Sequence, residues 1–124
     1  MNQREKGKEQ EEQAARYLVE HGFVLLEKNF RSRQGEVDLV GLHENCLVFV
    51  EVKYRKSASS GLPEEAVGSL KQSRICLASD YYRLTHPEEE SRQIRYDVVA
   101  ICGEEIHWHQ NAFPYTRRGR AYSW

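Results

Sequence analysis

The sequence contains no apolar run of about 18 residues, which excludes a helix that spans a membrane. It has only three cysteines, and no two of them have the C-x-x-C spacing of a metal or redox site. We therefore expect Cys46, Cys76 and Cys102 to be reduced, small and buried. The polar N-terminus lacks the apolar segment of a secretory signal peptide, so we expect a cytoplasmic protein.

A surplus of basic charge is also missing. The 18 lysine and arginine residues are balanced by 19 acidic residues, and the net charge is −1. A nucleic acid would therefore have to be held by a local basic patch or through metal ions. With 124 residues, 40% of them hydrophobic, the chain is long enough for one soluble domain with one core.

The hydrophobic pattern predicts the order α-β-β-β-α-β-β. A first helix is expected at about residues 4–21, where Gly22 ends it, and a second at about residues 64–84, where Pro63 opens it. The expected strands are residues 23–31, 36–42, 46–55, 93–102 and 105–111. This order predicts an α/β (α+β) fold in which helices pack against one sheet. The second helix is expected to bury Val67, Leu70, Leu77, Ala78 and Tyr81.

The stretch "GEVDLVGLHENCLVFVEVKYR" places charged residues inside two apolar strands. Strand side chains alternate, so Glu51 and Lys53 share a face of the later strand, as Glu36 and Asp38 do on the earlier one. A hairpin that turns at residues 43–45 brings Asp38 nearly opposite Glu51, and a bulge or an odd loop would take up one residue of slack. Both faces of residues 47–52 are apolar, which indicates a central, buried strand.

Two carboxylates held a few ångströms apart repel each other unless a proton or a cation lies between them. Carboxylate oxygens suit Mg²⁺ or Mn²⁺, and Lys53 on the same face can neutralise charge that develops on a phosphate. Glu11 lies on the inward face of the first helix and can add a further carboxylate. This chemistry is typical of phosphodiester hydrolysis. The alternative is a solvated cross-strand charge pattern.

The same motifs carry a resemblance. "GEVDLV" and "FVEVKYR" resemble the D…E-x-K core of the PD-(D/E)XK nuclease superfamily, with Asp38 followed by Glu51-Val52-Lys53. More narrowly, nearly all of residues 7–113 resembles the YraN-like family of uncharacterised bacterial proteins, through "GKEQEEQAARYLVEHGF", "NFRSRQGEVDLV", "LVFVEVKYR", "RYDVVAI" and "HWHQNAF". That family is similar in turn to archaeal Holliday-junction resolvases. The resemblance implies a restriction-endonuclease-like mixed sheet flanked by helices, as a single nuclease-like domain over residues 1–113.

The resemblance also implies roles for individual residues. Glu11 would be the helix carboxylate, Asp38 and Glu51 would be ligands of Mg²⁺ or Mn²⁺, the Val52 carbonyl a further ligand, and Lys53 the catalytic lysine. The implied function is a metal-dependent endonuclease that hydrolyses DNA, either branched, otherwise structured or single-stranded. Resolvase-like chemistry on two strands would suit a homodimer. The alternative is a module on the same fold that binds nucleic acid or a repair partner without cutting.

Basic residues around the carboxylates are candidates for DNA contacts. Arg31, Arg33 and Arg55 lie just outside the carboxylate strands and can touch backbone phosphates, although exposed arginines are common on any surface. Lys71 on the second helix flanks the apolar stripe, so it either reaches the site or extends to water. Gly35 is expected to permit a tight turn or a close approach of the backbone.

Three further features have structural interpretations beside functional ones. We interpret Arg95 and Asp97, which alternate onto one face, as a structural ion pair, and a role in supporting the residues of the site is the alternative. His107 and His109 are too few ligands for a zinc site. The basic, aromatic tail over residues 114–124 either grips single strands by stacking or is a disordered terminus.

Overall fold

The computed structural model describes residues 3–55 and 67–116, and it confirms the predicted order of elements. One five-stranded sheet lies between two helices, in the strand order β1-β2-β3-β4-β5. The pair β3–β4 is parallel and the other three pairs are antiparallel. The elements are α1 (Gln3–Glu20), β1 (Val24–Arg31), β2 (Glu36–His43), β3 (Cys46–Arg55), α2 (Ser69–Thr85), a short 3-10 helix (Pro87–Glu89), β4 (Gln93–Cys102) and β5 (Glu105–His109).

β3 is the middle strand of the sheet and is covered on both faces, as its sequence predicted. One face packs against α1 in a core that includes Leu18, Val48 and Val50. The other face packs against α2 in a core that includes Phe49 and Ile75. Parallel pairing requires a crossover connection, and the segment that contains α2 supplies it between β3 and β4.

Gly22 ends α1 and directs the chain into the sheet. Its φ of 95° lies in the left-handed region, and its N–H donates to the Val19 carbonyl at 3.3 Å. The Phe23 N–H donates to the Leu18 carbonyl at 3.0 Å, which completes a Schellman motif. Phe23 is then buried over Gly41, where an added Cβ would come within 2.1 Å of the Phe23 ring.

The β2–β3 hairpin is tighter than predicted and has no slack. Only Glu44 and Asn45 form the turn, with φ values of 50° and 67° that fit a two-residue hairpin turn. His43 is the last residue of β2 and pairs with Cys46. The expected bulge lies elsewhere, between Leu25 and Glu27 in β1.

α2 begins later than predicted, at Ser69, because Gly68 is extended with φ −64° and ψ 163°. Pro63 and the expected helix start at residue 64 lie outside the described residues. The predicted apolar stripe was wrong for Leu70 and Tyr81, which are 65% and 47% exposed. The helix buries two serines and four other residues: Ser73, Ile75, Cys76, Ala78, Ser79 and Tyr82.

Two hydrogen bonds explain why the polar residue Ser79 can lie on the buried face of α2. The Ser79 hydroxyl lies 2.7 Å from the Tyr96 hydroxyl and donates to the Cys76 carbonyl at 2.7 Å, so its burial leaves no polar group without a partner. Cys76 is buried as expected, whereas Cys46 and Cys102 are only partly buried; all three are free thiols.

Over residues 3–55 and 67–116, no helix is long and apolar enough to cross a membrane. Phe113 is buried and stacks on Tyr96 with ring centroids 5.4 Å apart, so the domain core extends to this residue. The arginines predicted for the tail, at positions 117, 118 and 120, lie outside the described residues.

Candidate active site

Asp38 stands where the regular pairing of β2 with β3 stops. The last backbone pair of the ladder on this side is Leu39 with Val50. Beyond it, the Val52 N–H donates to Asp38 Oδ2 at 2.8 Å, so a carboxylate occupies the position of a strand carbonyl. The register therefore places Asp38 next to Glu51, as the sequence predicted.

Glu51 is a buried acid on the α2 side of β3, and only 4% of it is exposed. Burial, together with the charge of Asp38 and a hydrogen bond with it, raises the pKa of the Glu51 carboxyl to about 8. Glu51 Oε1 has no hydrogen-bond partner among the described residues. The neighbouring carboxyl groups of Glu51 and Asp38 thus favour sharing a proton, and Glu51 Oε1 is left without a partner among the described residues.

Two lysines from different elements lie beside Glu51. The Lys53 Nζ is 3.5 Å from Glu51 Oε2, and the Lys71 Nζ is 4.0 Å from the same oxygen. Lys71 also contacts Glu36 Oε1 at 3.4 Å. Both lysines lower the pKa of Glu51, but burial and Asp38 outweigh them. Of the two alternatives predicted for Lys71, the structure favours the side chain that reaches the site.

Gly35 sets the distance between α2 and this site. A Cβ at Gly35 would lie 1.9 Å from the Arg74 carbonyl oxygen and 3.2 Å from the Ala78 nitrogen. The preceding turn is closed by the Ser32 N–H, which donates to the Gly35 carbonyl at 2.8 Å. The predicted close approach is confirmed, because a side chain at this position would collide with the backbone of α2.

Glu11 reaches the same neighbourhood from α1. Burial and the charge of Asp38 raise the pKa of Glu11, whereas a hydrogen bond from Asn29 and the charge of Arg31 lower it. Glu11 Oε1 is buried without a hydrogen-bond partner among the described residues. Sequence reasoning missed Asn29, because a single polar residue on an edge strand gives no signal.

The three arginines predicted to surround the site lie at different places on its margin. Arg31 is 73% exposed at its side chain, and its Nε is 3.5 Å from Glu36 Oε2. Arg33 is exposed in the turn between β1 and β2, and Arg55 is partly buried at the end of β3. Arg31 therefore contacts Glu36, and Arg33 lies near Arg31 on the turn.

The donor set fits a hard divalent cation that is held by few protein ligands. Asp38 and Glu51 provide two adjacent carboxyl groups, and Mg²⁺ commonly uses one or two carboxylates with water and substrate phosphate. The unpartnered Oε1 atoms of Glu11 and Glu51 are buried acceptors of the kind a cation satisfies. In the described part of the chain, no three or more His, Cys, Asp or Glu side chains come together as a metal site. The predicted role of the Val52 carbonyl stays a prediction.

Another buried acid has a complete set of donors. Asp97 is 0% exposed, and Arg95 Nη2, Trp108 Nε1 and the Asn111 N–H each donate to it at 2.8 Å. Arg95 also contacts His43 Nδ1 at 2.9 Å. Arg95 and Asp97 are the structural ion pair that we expected.

Comparison with known proteins adds relatives but no activity. The model of the family described as "Uncharacterised protein family UPF0102" matches residues 10–101. A UPF0102 protein of Lachnoclostridium phytofermentans is 45% identical over 113 residues, covering 91% of this chain and 96% of the relative. One of Cytophaga hutchinsonii is 42% identical over 105 residues, covering 85% and 91%. One of Anaeromyxobacter dehalogenans is 48% identical over 95 residues, covering 77% and 70%.

Proposed function

The chain belongs to the uncharacterised protein family UPF0102, and we propose that it is a metal-dependent endonuclease that hydrolyses phosphodiester bonds in DNA. The observation that carries this proposal is the pair of Asp38 and Glu51 with Lys53 beside it. Buried acids that only stabilise a fold have their oxygens hydrogen-bonded. Glu51 has one oxygen without a partner in the described residues and a second carboxyl group as its neighbour.

In this proposal Asp38 and Glu51 hold Mg²⁺ or Mn²⁺, with the Val52 carbonyl as a further ligand. The bound ion would supply a neutralising charge for the phosphate and lower the pKa of a water molecule. Lys53 holds a positive charge 3.5 Å from Glu51, where it can bind a phosphate oxygen or orient the attacking water. Glu11 contributes a third carboxyl group near Asp38.

The substrate class follows from the resemblance to resolvases and from the distribution of charge. With a net charge of −1, the chain has no general attraction for DNA. Binding to branched or single-stranded DNA would therefore depend on Arg31, Arg33, Arg55 and Lys71 as phosphate contacts. A homodimer in the cytoplasm would suit cutting on two strands.

A cleavage assay on matched variants tests the proposal. Wild type, Asp38→Ala and the exposed-acid control Glu90→Gln would each meet four-way junction, flap, single-stranded and duplex DNA with Mn²⁺, Mg²⁺ or EDTA. We expect wild type and Glu90→Gln to cut in the presence of metal. Asp38→Ala should lose at least about 100-fold in rate. Loss of a residue that only orients a metal ligand costs about 10–100-fold, and this substitution removes a ligand itself. Equal cutting by Asp38→Ala and wild type would contradict the assignment and indicate a contaminating nuclease.

A second function, a DNA-binding module without hydrolysis, is favoured by one observation. Lys53 and Lys71 both lie within 4.0 Å of Glu51 Oε2, so protein cations already stand beside this carboxyl group without a metal. Binding of junction or single-stranded DNA without cutting, under every metal condition, would favour this module over the nuclease.

A further inference from the structure

An open cleft lies between the β1–β2 turn and α2, beside the carboxyl groups of Glu11, Asp38 and Glu51, which we call the carboxyl cluster. It has a volume of about 410 Å³ and is lined by Arg31, Ser32, Arg33, Gln34, Leu77 and Tyr81. That volume lies within the range of roughly 300–1,000 Å³ that is typical of small-ligand sites. The cleft therefore has room for a group of the size of a nucleobase, and it combines cationic, polar and apolar walls.

Tyr81 gives the cleft an aromatic wall. Its ring stacks on that of Phe30, with centroids 6.0 Å apart and planes inclined by 28°. Phe30 is buried, whereas Tyr81 is 47% exposed. Phe30 thus supports one side of a ring that is still about half exposed to solvent. An aromatic ring held on a helix in this way is a platform on which a base can stack.

Two arginines give the cleft its charge. Arg33 is exposed and has no ion pair within residues 3–55 and 67–116. Arg31 lines the cleft and contacts Glu36 at 3.5 Å, and Glu36 in turn contacts Lys71, whose Nζ lies 4.0 Å from Glu51. The cleft is therefore connected to the carboxyl cluster by a continuous series of charged contacts. Its guanidinium groups complement a phosphate, and its ring complements a base.

We propose that this cleft binds one unpaired nucleotide of a DNA strand, with its base on Tyr81 and its phosphate at Arg33. The inference rests on the proposed function and specifies its substrate class: DNA with an unpaired nucleotide next to the bond that is cut. A base inside an intact duplex is stacked on its neighbours, so its face is not available to Tyr81. Single strands, flaps and gaps present such a face without the cost of unstacking.

Fluorescence of 2-aminopurine tests the proposal without any cleavage. A short single-stranded oligonucleotide with 2-aminopurine in place of one adenine would be titrated with protein in EDTA, and stacking on an aromatic ring quenches the probe. We expect wild type and Tyr81→Phe to quench it. Tyr81→Leu keeps an apolar side chain against Phe30 but has no ring, so quenching should be lost and affinity should fall about tenfold.

Two further variants separate stacking from other effects. Leu84→Ala changes a residue on the same helix that is 78% exposed and does not line the cleft, so it should bind like wild type. Arg33→Gln should weaken binding to all sequences and reduce the slope of log affinity against log salt by about one. Equal quenching by wild type and Tyr81→Leu would overturn the proposal. So would an absence of binding by wild type, or equal quenching of a probe placed inside a duplex.

The same variants distinguish this inference from the nuclease proposal. Cutting by wild type that is unchanged in Tyr81→Leu, together with unchanged quenching, would overturn the cleft and leave the nuclease. Quenching that depends on Tyr81, without cutting under any metal condition, would overturn the nuclease and leave the cleft as a nucleotide-binding site.

Discussion

Glu51 and Asp97 are both buried acids, on the neighbouring strands β3 and β4, but they have different surroundings. Asp97 receives hydrogen bonds from Arg95 and Trp108 and from the Asn111 backbone, all at 2.8 Å. Glu51 is next to another carboxyl group, and its Oε1 has no partner among the described residues. Its lysine neighbours are more distant, at 3.5 Å and 4.0 Å.

The difference shows that burial of an acid does not by itself indicate a functional site. A buried charge is tolerated when a partner and enough hydrogen bonds compensate for the lost water. Although burial lowers the pKa of Arg95, its hydrogen bond with Asp97 and the charge of Asp97 raise it above its ordinary value. Asp97 is thus part of a satisfied pair, whereas Glu51 retains the capacity to accept a ligand.

The largest effect on stability is expected from Asp97→Ala. The substitution leaves Arg95 buried without its partner, and we expect the free energy of unfolding in urea to fall by about 3–5 kcal/mol. The exposed acid Glu104 is a matched control, and Glu104→Ala should unfold like wild type. A loss as small as that of the control would mean that the Asp97 pair is not structural.

A smaller effect on stability is expected from Gly35→Ala, which should disturb the surroundings of Glu51 and not those of Asp97. The new Cβ would lie 1.9 Å from the Arg74 carbonyl, so α2 must move, at a cost of about 1–3 kcal/mol. Gly68→Ala is the control, since nothing lies within 4 Å of its Cβ. Urea denaturation measures both variants.

The Trp108 indole resonance reports whether Gly35→Ala also disturbs the other acid. None of the hydrogen bonds to Asp97 comes from α2. The resonance of the Trp108 indole N–H should therefore stay in place in Gly35→Ala. A shift of this resonance would show that the two acids do not respond independently.

The stability of the protein should depend on pH through Glu51. The pKa of Glu51 is raised from 4.5 to about 8 in the folded protein, so ionisation favours the unfolded chain. Both states are protonated below pH 4.5, and the stability associated with this group is lost as the pH rises towards about 8. Within that window the slope is at most about 1.4 kcal/mol per pH unit.

Glu51→Gln removes this titration, so its stability relative to wild type should improve as the pH rises from 5 to 8. Urea denaturation of both proteins at several pH values, without divalent cations, measures the difference. Parallel curves for the two proteins would contradict the assigned environment of Glu51.

The smallest effect is expected from Glu36→Gln. Its ion pairs with Arg31 and Lys71 are partly solvated, since the Glu36 and Arg31 side chains are 47% and 73% exposed. Such pairs contribute less than about 1 kcal/mol, and 1 M salt should remove most of that difference. A loss comparable to that of Asp97→Ala would show that solvent screens the Glu36 pairs far less than their exposure indicates.

Much of the fold and the centre of the site could be predicted from local sequence. Strand alternation placed Glu51 and Lys53 on one face, and the turn predicted at residues 43–45 brought Asp38 nearly opposite Glu51, although only Glu44 and Asn45 form the observed turn. These predictions succeeded because periodicity and turn preference act over a few neighbouring residues.

The buried face of α2 could not be predicted in the same way. An apolar stripe that includes Leu70 and Tyr81 is as good a helical pattern as the observed one. The observed face became favourable because Tyr96, from another strand, satisfies Ser79 at 2.7 Å. Leu70 and Tyr81 are therefore exposed because of a contact with another element, which the helix sequence alone does not show.

The order of the elements, the central position of β3 and the approximate alignment of Asp38 with Glu51 were predictable because each depends on local pattern. Which acids have all their hydrogen bonds, and which cleft is open, depends on contacts between elements. Asp97 accepts a hydrogen bond from Asn111, and the Tyr81 ring stacks on Phe30. Lys71 lies beside Glu51 on a helix that packs closely against Gly35. These contacts join residues that are distant in the chain, and hydrogen-bond satisfaction is a property of such contacts rather than of any local pattern.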